Sequence, residues 1–471
     1  MTVSTCRNNF LVYNEELDKF LSAVQEKCLK TNSTRIVSIS LDIDLVDPLV
    51  VFEKLAQQDD LNFYWENKSK GEVIAGIGSA AKFETSGKQR FTEVEEFTRF
   101  CLENITNYGN TNPSFAKPYF FYSFGFFNEN TQVNYPFPAA SVFLPRWQIV
   151  VKNERSVLVA NVIINGCVNI RRLLQVLSHK VEVIYSLEYY PRNINYAQDK
   201  FSKKNVINTE KFKQSVVSAL EKISTQQLTK VVLADVLDVT SSNNFNLCQS
   251  LDNLRQLHPN CCTFLTSNGK GQNFIGASPE RLISINKQQL ITDALAGSAP
   301  RGQTPEEDAA NANRLLSSQK ERHEHTLVTE FITQRLSQLG LLPQVLTPRL
   351  RQLSNIQHLW TPINAKVPAN VHPLQIVAQL HPTPAVAGAE PEIACNEIRF
   401  CESFERGLYA APLGWIDSDG NCEFIVGIRS ALIDGKRARL YAGAGIVAGS
   451  DPDKELAEVQ LKLQALLKAL V

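Results

Sequence analysis

The chain has 471 residues, with 48 lysines and arginines against 48 aspartates and glutamates, so its formal net charge is zero. That balance gives no electrostatic case for nucleic acid or an anionic membrane as the main partner, and any anionic ligand must be met by locally placed cations. No stretch approaches the roughly 20 apolar residues of a membrane span, and the ten cysteines follow no CxxC or disulfide-framework spacing.

The N-terminal MTVSTCRNNF has no basic-then-apolar signal pattern, so a soluble cytoplasmic protein with reduced thiols is expected. Length alone suggests two to four domains. Residues 14–30 have helical periodicity, with Leu17, Phe20, Leu21 and Val24 on one stripe. Strand-like runs follow at 35–41, 61–66, 72–77, 140–151 and 156–165. The polar, aromatic-tipped YYPRNINYAQDKFSKKN (189–205) reads as a connector. Beyond it come a helix near 209–225, a strand from Lys230, strands near 261–266 and 273–276, and a pair at 281–286 and 289–294. Thr304-Pro305 is a good N-cap and N1 pair, and predicts one long helix over 305–339. From 409 to 447, turns at Ser418-Asp419-Gly420-Asn421 and Asp434-Gly435 separate three β-rich runs, an antiparallel meander. A last helix opens at Asp451-Pro452, with Leu456, Leu463, Leu466 and Leu467 on its apolar stripe. Strands on both sides of long helices, joined by hairpins, argue for α+β with large antiparallel sheets.

Residues 320–330, KERHEHTLVTE, crowd charge into one helix. Zinc is excluded by spacing: HExxH would need histidine where Leu327 stands, and His323 and His325, two residues apart, point to different sides of a helix. Glu321 and Glu324 are i,i+3 on one face, roughly 4.5 Å apart along the axis. Alone, such a pair is a solvated helix surface. Glu455 and Glu458 repeat the spacing in the last helix. Should the two helices face each other, four carboxylates without cysteine or histidine would favour Mg²⁺, which keeps several waters.

AGAGIVAGS (442–450) and GIGSAA (76–81) are near misses for a dinucleotide fingerprint, the third glycine being late or absent. What remains for the first is a Gly-rich turn before a helix N-terminus, able to take a carboxylate. Lys230, at the start of KVVLADVLDV, is either a snorkelling strand end or, in a closed site, a general base. Glu280, in GASPERL, is either a partner of Arg281 or a general acid. Arg429, read inside the run EFIVGIRSAL, needs a partner, and a substrate carboxylate is one option.

KVVLA, GASPERL, LAGSAPRG, the ERHEH helix, LHPTPAVAG, GIRSA and YAGAGIVAGSDPDKELAEVQLK occur in the order found in the chorismate-utilising enzymes, which the chain closely resembles. The strong motifs cover 210–471; weaker likeness reaches back through residues 56–209, leaving 1–55 as a variable N-terminal segment before a catalytic domain at 56–471. The resemblance implies one large α/β unit with two stacked, mostly antiparallel sheets flanked by helices, which replaces the multi-domain expectation. It implies Lys230 as the base activating water for attack at ring C2 of chorismate and Glu280 as the acid protonating the departing C4 hydroxyl. Glu324 and Glu455, with Glu321 and Glu458 close by, would hold Mg²⁺ on the ring carboxylate, assisted by Lys462. Arg429 and Tyr409 would hold the enolpyruvyl carboxylate near the amides of Gly297 and Gly445, and His358 matches an active-site histidine.

Within the family, Lys230 is similar to the members that use water; those using ammonia typically have an uncharged residue there. Ala385 stands where salicylate synthases tend to have threonine. The chain therefore looks most like an isochorismate synthase, Mg²⁺-dependent, feeding menaquinone or phylloquinone synthesis, with no nucleic-acid, membrane or obligate protein partner and monomeric action as the expectation. Salicylate synthesis with pyruvate loss and a non-catalytic chorismate-binding role are the alternatives. Asp235 and Ala299 replace arginines usual in the family, a change expected to alter charge around the pocket.

Overall fold

A computed structural model describes residues 15–109, 113–132, 135–187, 201–205, 209–353 and 356–470. Most of the expected connector (189–205) lies outside these residues. Its end, Phe201–Asn205, is a strand paired with Val231–Ser241.

The sheet is organised by one long pair. Ala140–Lys152 runs antiparallel to Glu72–Thr85 along its whole length, with a register shift between Ser79 and Ala81. On its other edge, residues 147–152 pair with Arg155–Ile164, whereas 140–143 pair with Tyr119–Phe124. The shared pair therefore feeds two arms. One continues through Asn62–Asn67, Cys262–Ser267, Gln272–Ser278, Ser430–Asp434, Arg437–Ile446 and Val231–Ser241. The other continues through Tyr119–Phe124, Pro412–Asp417, Cys422–Val426, Arg281–Asn286, Gln289–Pro300 and Ile356–Lys366. Among the described strands only Arg35–Ile43 with Ile105–Gly109 is parallel. The expected two antiparallel sheets are thus two arms of one hydrogen-bonded system, folded over each other. Phe63 of one arm stacks on Phe121 of the other at 4.4 Å between ring centroids. The Phe121 ring also fills the space beside Gly76, so the first glycine of GIGSAA admits an aromatic ring.

Three expectations need correction, and each correction places a functional side chain. The helix expected over 305–339 is two helices, Pro305–Ser317 and Gln319–Gln338. Ser318, extended at φ −64° and ψ 119°, ends the first and caps the second, its hydroxyl accepting from the Glu321 N–H at 3.4 Å. Ser318-Gln319-Lys320-Glu321 has the capping-box spacing, but the Glu321 carboxylate does not turn back to Ser318. It accepts the Ser298 N–H at 2.9 Å instead.

The C-terminal meander is really two hairpins. Cys422–Val426 pairs with Pro412–Asp417 and Arg281–Asn286, whereas Ser430–Asp434 pairs with Gln272–Ser278 and Arg437–Ile446. The chain crosses between the arms at Gly427-Ile428-Arg429, where Arg429 takes the left-handed φ of 50°. Arg429 is therefore at a crossover and not on a strand face.

The expected Gly-rich turn at 442–450 is mostly strand, since Arg437–Ile446 contains AGAGI. Only the residues after Ile446 turn, and Asp451 then accepts the N–H groups of Asp453 and Lys454 at 3.0 Å to start the helix Pro452–Leu470. Glu321 and Glu455 consequently lie in the first turns of two helices, where the dipole favours negative charge, with Glu324 and Glu458 one turn further on.

Candidate active site

Between the arms lies a cleft of about 880 Å³, open mouth included. Its floor comes from strands, and both Glu-bearing helices form one wall. Glu321, Glu324, Glu455 and Glu458 all face it, as do Glu280, Arg429, Tyr409, His358, Lys462, Ala385, Gly297 and Gly445. Lys230 stands just behind the lining, with no exposed surface. Its Nζ is 2.8 Å from Glu324 Oε1, a charge contact not aligned as a hydrogen bond.

Backbone geometry explains why these positions carry the residues they do. The strand Val231–Ser241 is locked on one side by Arg437–Ile446, with Val232 opposite Gly445, and on the other by the Val232 N–H donating to Ala387 O at 2.6 Å. A side chain at Gly388 would strike the Lys230 carbonyl, so HPTPAVAG closes against the lysine with a glycine at the contact. At Gly445 an added Cβ would come within 2.5 Å of Glu324 Oε1 and 3.3 Å of Lys230 Cε; at Gly443 it would meet the Tyr409 hydroxyl at 2.9 Å. These glycines let side chains approach the strand, a different use from the anion-binding turn expected of them. We expect Gly445→Ala to fold, because its neighbour is the movable end of a side chain, yet to lose roughly 10- to 100-fold in kcat, since displacement of about an ångström is costly in an oriented site. Circular dichroism with steady-state rates checks this; an unchanged kcat would detach Glu324 from the reaction.

Gly297 sits in the bulge between Ala296 and Ser298, at φ 78°, and this aims the Ser298 amide at Glu321. Of the two histidines in the Gln319–Gln338 helix, His323 is exposed and His325 is buried, its Nε2 2.7 Å from Thr361 Oγ1. Neither lines the cleft, and the two lie on different sides of the helix, as their spacing implied. Glu280 does not pair with Arg281, whose guanidinium is 3.8 Å from Asp293.

The electrostatics separate the roles. Burial, with Asp293 adding to it against the opposing pull of Lys230, raises Glu280 to a pKa of about 8. Its carboxyl is therefore protonated at neutral pH. His358 is held well below its ordinary pKa by burial and then by Arg429 and Lys462, so it is a neutral imidazole, with Nδ1 3.0 Å from Ser298 Oγ. Arg429 Nη1 is buried and hydrogen-bonded to no described residue, while Cys261 engages the guanidinium elsewhere. An unmatched guanidinium N–H at a cleft suits an incoming carboxylate. Burial raises Glu321 and Glu455 above the usual carboxylate range.

The sequence did not single out Lys320, Ser298 or Tyr441, all of which line the cleft. Tyr441 stacks on Tyr409 at 5.1 Å and 13°, fixing that ring. Asp235 and Ala299 do not line the cleft. Asp235 is buried with its Oδ1 on the Val236 N–H at 2.6 Å, and Ala299 packs with Leu315 and Leu359. The expected change in charge around the pocket does not arise at its lining.

The four carboxylates suit a hard cation in kind: oxygen donors only, on two helix N-termini, facing one cleft. Among the described residues, however, no three acidic or imidazole groups converge as a metal-holding cluster. Each of the two pairs is met by lysines. Lys320 reaches Glu455 at 2.9 Å and Glu321 at 3.6 Å, and Lys462 reaches Glu458 at 2.8 Å while donating to Gly443 O at 2.8 Å. Burial works against the charge of Lys320, but Glu455 and Glu321 outweigh it and hold the pKa above that of an ordinary lysine.

The family model for chorismate binding enzymes matches residues 22–471. The chain belongs to that family. This chorismate-binding enzyme is 32% identical over 439 residues to the salicylate biosynthesis isochorismate synthase of Pseudomonas aeruginosa, spanning 92% of this chain and 90% of that protein. It is 31% identical over 455 residues to isochorismate synthase MenF of Bacillus subtilis, spanning 94% and 95%. Among solved structures, MenF of Escherichia coli, a menaquinone-specific isochorismate synthase, superposes with a TM-score of 0.77 at 25% identity, over 96% of this chain and all of that one. Anthranilate synthase component I of Streptococcus pneumoniae shares the fold, with a TM-score of 0.67 at 19% identity over 84% and 92% of the two chains. Nine cysteines are described and none of them is in a disulfide; among the described residues no helix is long and apolar enough to cross a membrane.

Proposed function

We propose that this chorismate-binding enzyme is a Mg²⁺-dependent isochorismate synthase. The observation that carries the reading is a fully buried lysine, Lys230, and a protonated buried acid, Glu280, serving one cleft that also offers Arg429 to a carboxylate. Water adds at C2 of chorismate while the C4 hydroxyl leaves. Lys230 takes a proton from the attacking water and Glu280 gives one to the departing oxygen, so water is consumed and released and the product is an isomer. The enolpyruvyl carboxylate lies on Arg429 and Tyr409, and neutral His358 stands beside Ser298. Glu321, Glu324, Glu455 and Glu458 are the residues that would hold Mg²⁺. Bound there, the ion would supply positive charge for the ring carboxylate, with no need to generate hydroxide. Lys230 is available to act as a base once its contact with Glu324 opens.

Likeness to the menaquinone-specific enzyme supports a quinone precursor as the destination. The salicylate alternative is disfavoured by Ala385, which brings no hydroxyl to the cleft. One assay separates the readings: chorismate with and without Mg²⁺, resolved chromatographically. Isochorismate formed only with Mg²⁺ is expected. Pyruvate released in step with chorismate loss would make the enzyme a salicylate synthase, and calorimetric binding without turnover would make it a binding protein.

A further inference from the structure

We infer that Lys320 is a tethered stand-in for the divalent cation, holding the two carboxylate-bearing helices together before the metal binds and leaving when it does. The inference rests on the Mg²⁺ reading of the four glutamates.

Lys320 lies in the first turn of Gln319–Gln338, and its Nζ crosses to Glu455 Oε1 on Pro452–Leu470 at 2.9 Å while staying 3.6 Å from Glu321 Oε1. The other two lysines are committed differently. Lys230 reaches Glu324 from the opposite arm, and Lys462 pairs with Glu458 on its own helix and anchors to Gly443 O. Lys320 is thus the described ammonium that joins one glutamate pair to the other. Its side chain is 31% exposed, against 0% for Lys230 and 19% for Lys462, so it has an open route to solvent.

Charge counting makes the exchange reasonable. Four carboxylates facing three ammoniums leave one negative charge. A dication in place of Lys320 leaves none, and an ammonium kept beside that dication on the same oxygens would be repelled. A fixed cation also offsets the repulsion among four glutamates sharing one cleft, since like charges packed together without counter-charge would open the helix contact. The cost of this arrangement is affinity, because the metal must displace a partner already bound.

The test compares the whole enzyme and two variants, Lys320→Met and Lys320→Arg, stripped with EDTA and then titrated with MgCl2 and with MnCl2 alone by calorimetry, with thermal unfolding in parallel. Methionine keeps the stem and removes the charge. Lys320→Met should bind both metals roughly ten-fold more tightly than wild type, unfold several degrees lower in EDTA, and gain more from saturating metal. Lys320→Arg should stay close to wild type in both readouts. Equal or weaker metal affinity in Lys320→Met, with wild type binding normally, overturns the inference and leaves the Mg²⁺ reading standing. Failure of wild type and both variants to bind either ion removes the Mg²⁺ reading, and this inference with it.

Discussion

Glu280→Gln is expected to lower kcat by about 10³-fold near pH 7.5, inside the 10²–10⁴ range typical of a positioned general acid. Glutamine preserves the shape and the neutral charge of the protonated carboxyl but has no proton to give to a leaving hydroxyl. The pH profile carries the sharper test. With a pKa of about 8 in the folded protein, wild-type activity should fall as pH rises past 8, and that limb should vanish from whatever rate the variant retains. Stability also falls with rising pH, but over a lower window. The unfolded chain loses this proton near the ordinary carboxyl value of 4.5, whereas the fold keeps it to about 8. Between those values the folded state binds more protons, so stability falls as pH rises through the window. At about 1.4 kcal/mol per pKa unit, that difference sets a ceiling of about 5 kcal/mol on the loss. Glu280→Gln escapes it, so its melting temperature should gain on wild type between pH 6 and pH 8.5. A variant with kcat within ten-fold of wild type and an unchanged limb near pH 8 would assign the proton to another group.

Local sequence made several elements plain and hid how they meet. The stripe Leu17, Leu21 and Val24 is buried in the helix Glu15–Thr31 as its periodicity demands, with Phe20 only partly covered. The four glutamates were legible as two i,i+3 pairs, because helical spacing is a local property. That the pairs share one cleft was not, since the helices are separated by more than a hundred residues and their packing is set by strands from both arms. The order of seven motifs supplied that information; hydrophobic periodicity did not. The break at Ser318 was readable: Ser318 to Glu321 spells a helix start, but the continuous charged pattern around it suggested uninterrupted helix. Gly427 likewise marked the crossover in EFIVGIRSAL, yet alternation on either side read as one strand. Lys320 was missed because an exposed-looking lysine next to a glutamate is ordinary on a helix surface, and only the partner helix gives it a role.

Lys230→Ala should lose a further large factor, about 10²–10⁴ in kcat, with chorismate affinity little changed, because the substrate carboxylates are assigned to Arg429, Tyr409 and the metal-side residues. A structural account of Lys230 also predicts lost activity: truncating a wholly buried lysine empties space and strips Glu324 of its counter-charge. Two measurements separate these accounts. Calorimetric titration with chorismate finds the cleft intact if the lysine acts in chemistry, and collapsed if it only holds Glu324 in place. Small primary amines delivered through the cleft then test the base directly, since alanine leaves a gap where the ammonium stood. Rates that recover with amine concentration, and follow the basicity of the amine added, place proton abstraction at that position. Recovery that is equal for amines of different basicity means that filling the gap or pairing Glu324 is all Lys230 does, and the water nucleophile would then need another base.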